Sequence, residues 1–226
     1  LHIEQGRNLV HRDVAVGVAS GIWPHGRYRF DFTGQANHAG ATAMEDRRDP
    51  MLTYAMTVLA ANKQARLSGA RATFGRVEVT SGSVNAVPWR VRGWLDARAE
   101  HSEQLQALLD AVETSAVQRA QRDGTQVLME AESVSPAVAF DAELSALIAP
   151  DAPVVPSQAG HDAGVLAAAG VASAMLMVRN PTGVSHAPAE HAEMADMLAG
   201  VDALTEALTQ ASGARAKPVS GQSGQR

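Results

Sequence analysis

The sequence predicts an α/β fold interrupted by a ferredoxin-like βαββαβ layer, and three observations carry this. Residues 21–136 show strand and helix patterns in the order β-α-β-β-α-β, the split βαβ arrangement of one sheet with two helices on one face. Residues 137–211 instead alternate helical stretches with a continuous apolar run, as an α/β sheet does. The first twenty residues add strand patterns of their own. Residues 1–20 and 137–211 are therefore assigned to one α/β domain, with 21–136 inserted into it. Residues 212–226, polar and rich in Gly and Ser, are expected to be a disordered tail.

Each element has a local reason. Leu1-His2-Ile3 and 14–19 read as strands. In 27–33, Tyr28, Phe30 and Phe32 alternate onto one face of a strand. Asp49-Pro50 places a capping carboxylate before a proline at the first helical position, and Met51, Tyr54, Ala55, Val58 and Leu59 follow at helical spacing. Strands are expected over 73–79 and 91–97, joined through 81–88. Ser102 caps a second helix with Leu105, Leu108, Leu109, Val112 and Ala116 on one stripe, and Gly124 ends it. A strand over 125–131 completes the layer. Beyond Pro136, helices are expected at 141–149, stopped by Pro150, and at 162–169, stopped by Gly170. The apolar run 171–178 reads as a buried parallel strand. Met194, Met197, Leu198, Val201, Leu204 and Leu208 mark a final amphipathic helix.

Composition narrows the chemistry. With 226 residues and 46% hydrophobic content the chain can bury a core, but aromatics are 4%, so Ala, Val and Leu carry the packing. The net charge is −5 and the pI about 5.9, with no basic stripe, and nucleic acid is not an expected partner. The absence of cysteine excludes disulfides, thiolate metal sites and a Cys nucleophile. A bound metal would need His, Asp and Glu ligands, which suits Zn, Mn, Co or Ni. No apolar run approaches the ~18 residues of a membrane span, and a cytoplasmic protein is expected. The chain opens without Met inside a strand-like motif, so an N-terminally incomplete sequence is also expected.

Three histidine motifs stand out. His2 in Leu1-His2-Ile3-Glu4-Gln5-Gly6 sits at a strand end that opens into a turn, where α/β sheets place their sites. It is either a metal ligand or a surface histidine. Glu4 is a candidate acceptor for its ring. His186 in Gly183-Val184-Ser185-His186-Ala187-Pro188 follows the apolar run by a loop, either as a ligand or as a loop histidine satisfied by backbone. His38, between Gly34 and Gly40, could donate to a developing oxyanion or be an idle turn residue. Asn85 lies in a loop between strands. Arg98 lies at a strand end, where its fork can grip a carboxylate or be solvated. His161-Asp162 opens a helix, with Asp162 favoured there by the helix dipole. His11, His25, His101 and His191 read as surface, the segment 45–49 as a solvated helix start, and Met175 and Met177 as core. No nucleophile elbow, P-loop or dinucleotide fingerprint is present.

The order of motifs from Leu1 to about Leu208 resembles the amidase/carbamoylase branch of the M20 metallopeptidase-like hydrolases. That branch includes N-carbamoyl-L-amino-acid hydrolases, β-ureidopropionases and allantoate amidohydrolases. The motifs are His2-Ile3-Glu4-Gln5-Gly6, the stretch from Gly34 through His38-Ala39-Gly40 to Arg47-Arg48-Asp49, Asn85 to Pro88, Leu95 to Arg98, Ala159-Gly160-His161-Asp162-Ala163 and Ser185-His186 to Glu190. The resemblance implies a partial metallohydrolase α/β domain, with the inserted layer acting as lid and homodimerisation surface. It implies two divalent metal ions, with His2 a ligand of one and His186 of the other. It implies further that Gln5, Asn85 and Arg98 bind a small ureido or amino-acid substrate, with Arg98 on its carboxylate, and that His38 polarises the scissile carbonyl. The resemblance implies too that lid residues can be delivered to the neighbouring subunit's site. The family's upstream His, bridging Asp and Glu-Glu pair have no counterpart here, the stretch 148–155 is short, and Gln158 stands where the pattern has Gly. The alternatives to a ureido-acid amidohydrolase are an inactive fragment that keeps the dimerisation domain and a dipeptidase-type relative.

Overall fold

The computed structural model describes residues 1–80 and 83–213; the expected tail beyond Gly213 lies outside the described residues, as do Ser81 and Gly82. In chain order the elements are β1 (His2–Ile3), α1 (Asn8–Arg12), β2 (Val16–Ile22), β3 (His25–Thr33), β4 (Asn37–His38), a 3-10 turn (Met44–Asp46), α2 (Pro50–Ser68), β5 (Arg71–Thr80), β6 (Ala86–Val87), β7 (Arg90–Arg98), α3 (Ser102–Asp123), β8 (Gln126–Ser135), β9 (Val138–Ala139), α4 (Ala142–Ile148), β10 (Val154–Ser157), α5 (Asp162–Ala168), β11 (Leu176–Val178) and α6 (Met194–Ala211). The described residues form two compact units, one from 1–22 with 138–213, the other within 23–137. No helix among the described residues is long and apolar enough to cross a membrane.

The second unit is an antiparallel sheet in the order β5-β7-β3-β8. With α2 and α3 as its crossovers, this is the ferredoxin-like topology. Strand alternation sorts the two faces. Tyr28, Phe30, Phe32, Val91 and Leu95 point into a core that α3 closes with Leu105, Leu108, Leu109, Val112 and Ala116. The opposite face carries charged residues. Asp49 caps α2 by accepting from Met51 N at 2.9 Å. Two expectations shift here. His101, not Ser102, occupies the cap position of α3, with no side-chain cap bond. The inward stripe of α2 is Thr53, Thr57, Ala61 and Ala65, while Leu59 is 63% exposed. Thr53 explains the rotation, since its hydroxyl bonds Asp123 and Thr125 at 2.9 and 2.8 Å and so turns that face inward.

The first unit is a mixed sheet, β1-β11-β2-β10, with β9 on β2. Its core includes Leu9, Ile22, Phe140, Val155, Met175 and Met177. The run 171–178 was expected to be one parallel strand; only Leu176–Val178 is strand, parallel to β1 and antiparallel to β2. Ser173 accounts for the loss: its hydroxyl donates to Val171 O at 2.9 Å, a local bond that competes with ladder formation. On α6 the expected apolar stripe is also rotated. Met194, Leu198, Val201 and Leu208 are exposed, while Asp196, Gly200 and Ala207 are buried. Arg179 draws Asp196 inward through paired bonds of 2.8 and 3.0 Å. Gly200 allows close approach, since a Cβ there would lie 2.4 Å from Val178 Cγ2.

Candidate functional site

In the second unit, β4 pairs with β6 and so brings the His38 motif beside Asn85: His38 faces Ala86, and Ala39 N donates to Asn85 O at 2.8 Å. Both side chains are exposed. The backbone then turns back on the imidazole. Gly40 N and Ala41 N both donate to His38 Nδ1, at 3.0 and 3.1 Å. A nitrogen that receives two N–H groups is the acceptor, so the ring proton lies on Nε2. That proton is available to a ligand oxygen. The same turn is fixed from below by Arg47, which donates to the carbonyls of Ala39 and Thr42. Arg47 was read as part of a solvated helix start; it is instead the brace of the histidine loop. The sequence signal was its place in the motif that begins at Gly34.

Arg98 lies at the far end of β7. The strand's nine residues span about 26 Å at the usual rise, so Arg98 is not brought together with His38 and Asn85 within this unit. Its guanidinium forks onto Asp96, with bonds of 2.6 and 2.8 Å. The bond to Asp96 raises the Arg98 pKa, burial works against this, and the Asp96 charge adds to the rise.

In the first unit three motif segments converge. The His2 and His161 rings are in contact, with centroids 4.2 Å apart. A Cβ on Gly6 would stand 3.6 Å from Gln158 Oε1, and one on Gly183 would collide with Arg7 Cγ at 2.3 Å. The 2–7, 158–161 and 183 segments are thus neighbours. Buried Asn180 shapes the last of them: it accepts from Thr182 N and Gly183 N at 3.1 and 3.0 Å and donates to Val184 O at 2.9 Å. His186 follows with φ of 57°, and its N–H donates to Glu190 Oε2 at 3.0 Å. His2, Gln5 and His186 are exposed. Glu4 does not serve His2. It is buried and caps α1, accepting from Asn8 N at 2.7 Å and Leu9 N at 2.9 Å. His161, read as a helix opening and as part of a family motif but given no role, is a member of this cluster.

Zinc-like ions take three or four protein ligands. Among the described residues no group of three or more His, Asp or Glu side chains is placed to hold an ion. The described residues therefore do not complete a metal centre by themselves.

Comparison with known proteins supplies the frame for these motifs. The sequence profile of peptidase family M20/M25/M40 matches residues 1–210. The N-carbamoyl-L-amino acid amidohydrolase of Geobacillus stearothermophilus is 37% identical over 218 residues, covering 93% of this chain and 53% of that protein. The allantoate amidohydrolase of Escherichia coli is 31% identical over 221 residues, with coverages of 93% and 53%. A crystal structure of a hydantoinase/carbamoylase-family amidase from Burkholderia vietnamiensis superposes with a TM-score of 0.85 at 30% identity, covering 91% of this chain and 52% of that one. The chain spans about half the length of the curated relatives it matches. Since the profile runs through both units and every motif described above, the chain belongs to peptidase family M20/M25/M40.

Proposed function

We propose that this protein is an amidohydrolase acting on the C–N bond of N-carbamoyl-amino acids or related ureido acids such as allantoate. The observation that carries this reading is the orientation of His38. Its Nδ1 is occupied by two backbone N–H groups, which leaves Nε2–H to donate to the oxygen of a ureido carbonyl. When water adds to that carbon, negative charge grows on the oxygen, and a preset donor is worth most at that moment. Collapse breaks the C–N bond, the amino nitrogen leaves with a proton, and the carbamate released from a carbamoyl substrate decays to carbon dioxide and ammonia. The names of the relatives support the substrate class. Asn85 beside His38, Gln5 in the first unit and Arg98 are assigned to substrate binding, Arg98 to its carboxylate. His2 and His186 are assigned one imidazole each to a pair of divalent ions (Zn, Mn, Co or Ni), which needs further ligands.

A homodimer through the second unit fits the same reading. A small ureido acid cannot touch His38 and Arg98 in one chain when about 26 Å of β7 separates their ends of the sheet, whereas a second copy can bring the two together. Leu52, Met56 and Leu59 on α2 and Val77 and Val79 on edge strand β5 are exposed and apolar, as a pairing surface requires.

The test is ammonia release from a panel of N-carbamoyl-amino acids and allantoate, run beside release of free amino acids from dipeptides. Release from ureido compounds alone is expected, with His38→Ala lowering kcat by about 10²–10³-fold. Cleavage of dipeptides alone would favour a dipeptidase. Failure of folded protein to act on any of them, with no divalent metal that His2→Ala and His186→Ala remove, would favour the inactive alternative.

A further inference from the structure

The open face of the second unit's sheet ends in a cluster of cations. Register places His25, Arg98 and Arg71 side by side on β3, β7 and β5, with Arg27, Asp96 and Thr73 in the next row of the same face. Adjacent strands are about 4.8 Å apart, and like charges directly opposite one another weaken the pairing. Among the described residues of these two rows, one carries a carboxylate, Asp96. Burial raises the pKa of Asp96, but its bond to Arg98 and the charges of Arg98, Arg27 and His25 outweigh burial and hold it below the usual range.

Arg71 spends N–H groups on the carbonyls of Gly69 and Ala70, at 2.9 and 3.1 Å, which are neutral acceptors. Among the described residues the ion pair at this end is that of Arg98 with Asp96, and Arg27 and Arg71 form none. Among the described residues of these two rows, three guanidiniums stand against one carboxylate, a surplus of two positive charges before His25 is counted. The opposite end of the face has no such surplus: Arg29, Arg90 and Arg92 meet Asp31, Glu130 and Glu132. A local conflict of like charges, kept where the rest of the face is balanced, is what a binding site leaves in a fold.

We propose that Arg27 and Arg71 extend the Arg98 position into a subsite for a second carboxylate, so that the preferred substrate is a ureido acid carrying two carboxylates. This rests on the reading above that Arg98 receives a substrate carboxylate. Guanidinium forks match carboxylates in geometry as well as charge, and the strand spacing sets neighbouring cations at a separation that a short dicarboxylate spans. A monoanionic ureido acid satisfies one of these forks and leaves the surplus unmet.

The test is binding to the whole chain, so that it does not depend on turnover. N-carbamoyl-L-aspartate and N-carbamoyl-L-alanine are titrated at low ionic strength by calorimetry and by amide correlation spectra, which also report that each variant is folded. The aspartate derivative is expected to bind about tenfold more tightly, one fork's worth of charge-assisted bonding. Arg27→Gln and Arg71→Gln are expected to erase most of that preference and leave the alanine derivative unchanged, and Arg98→Gln to weaken both. Arg76→Gln removes the same charge from the same face and is expected to preserve the preference; its loss there would reduce the effect to general electrostatics and overturn the proposal. Equal affinities in the unaltered chain, or a preference that survives Arg27→Gln with Arg71→Gln, would sink the second-carboxylate subsite while leaving Arg98 in place. Binding indifferent to Arg98→Gln, or no binding of either compound, would sink the reading of Arg98 and this inference with it.

Discussion

The ring of His161 lies against the ring of His2, with centroids 4.2 Å apart and planes tilted by 48°. The contact ties the segment that opens α5 to the segment that opens the chain. It also has an electrostatic signature. Burial lowers the His161 pKa from 6.5, the neighbouring His2 lowers it further, and Asp162 opposes. Proton NMR of the imidazole signals should therefore give His161 a midpoint below 6.5, and His2→Gln should move that midpoint upward. An unshifted midpoint that ignores His2→Gln would show the rings to be apart.

Arg47 should hold His38 in place. It donates to the carbonyls of Ala39 and Thr42, and Thr42 in turn donates to His38 O from its N–H and hydroxyl at 3.1 and 2.8 Å. Charged-donor bonds are worth about 1.5–3 kcal/mol each when sheltered, less here because Arg47 is only half-buried. Arg47→Ala should lower the opening free energy of the 39–42 amides by about 1–2 kcal/mol in hydrogen exchange. Arg47→Lys should not restore it, because a single ammonium does not reproduce the planar fork. Unchanged protection would remove Arg47 from the loop's support.

The parts of this fold that the sequence made legible are those governed by one dominant local rule. Tyr28, Phe30 and Phe32 alternate, and all three are buried. Leu105 to Ala116 repeat at helical spacing and close the core. Where a polar residue found a distant partner, the apolar pattern misled. Thr53 turned α2 by bonding Asp123 and Thr125, and Asp196 turned α6 by bonding Arg179. These partners lie 70, 72 and 17 residues away, beyond the reach of a local pattern. The site follows the same logic. The positions of His2, His38 and His186 near strand ends could be read from neighbours in sequence. The tautomer of His38 required the return of Gly40 and Ala41 onto its ring. The role of Glu4 required seeing that α1 begins four residues later.

Asp31 should give the second unit a distinct acid response. Burial raises its pKa, but bonds from Arg92, Arg90 and Arg29 outweigh this and hold it below 3.8. An acid depressed in the folded state contributes stability that is complete above its unfolded pKa and is lost as the pH falls through the folded one. Urea unfolding followed downward from about pH 5 should show this loss. Asp31→Asn should remove that part of the slope. Near neutral pH it should also be less stable by about 1–3 kcal/mol, since three guanidiniums would then lack their shared acceptor. A variant with the parent's acid slope would exclude Asp31 as its source.

Gly34 sets how closely the end of β3 approaches the start of α2. Its N–H donates to Trp89 O at 2.8 Å, and the next residue, Gln35, donates to Arg48 O at 2.9 Å. A Cβ at Gly34 would lie 2.2 Å from that same Arg48 oxygen and 2.7 Å from Pro50 Cδ. Backbone and a proline ring cannot yield as a flexible side chain does, so Gly34→Ala should cost about 1–3 kcal/mol. It should also disturb the amides that lead to His38. Gly75 offers the control on the same sheet: a Cβ there meets nothing within 4 Å, and Gly75→Ala should stay within about 0.5 kcal/mol of the parent. Equal stability of the two variants would mean that the Arg48 carbonyl does not stand over Gly34. The route from β3 to the His38 turn would then be held by something other than this close approach.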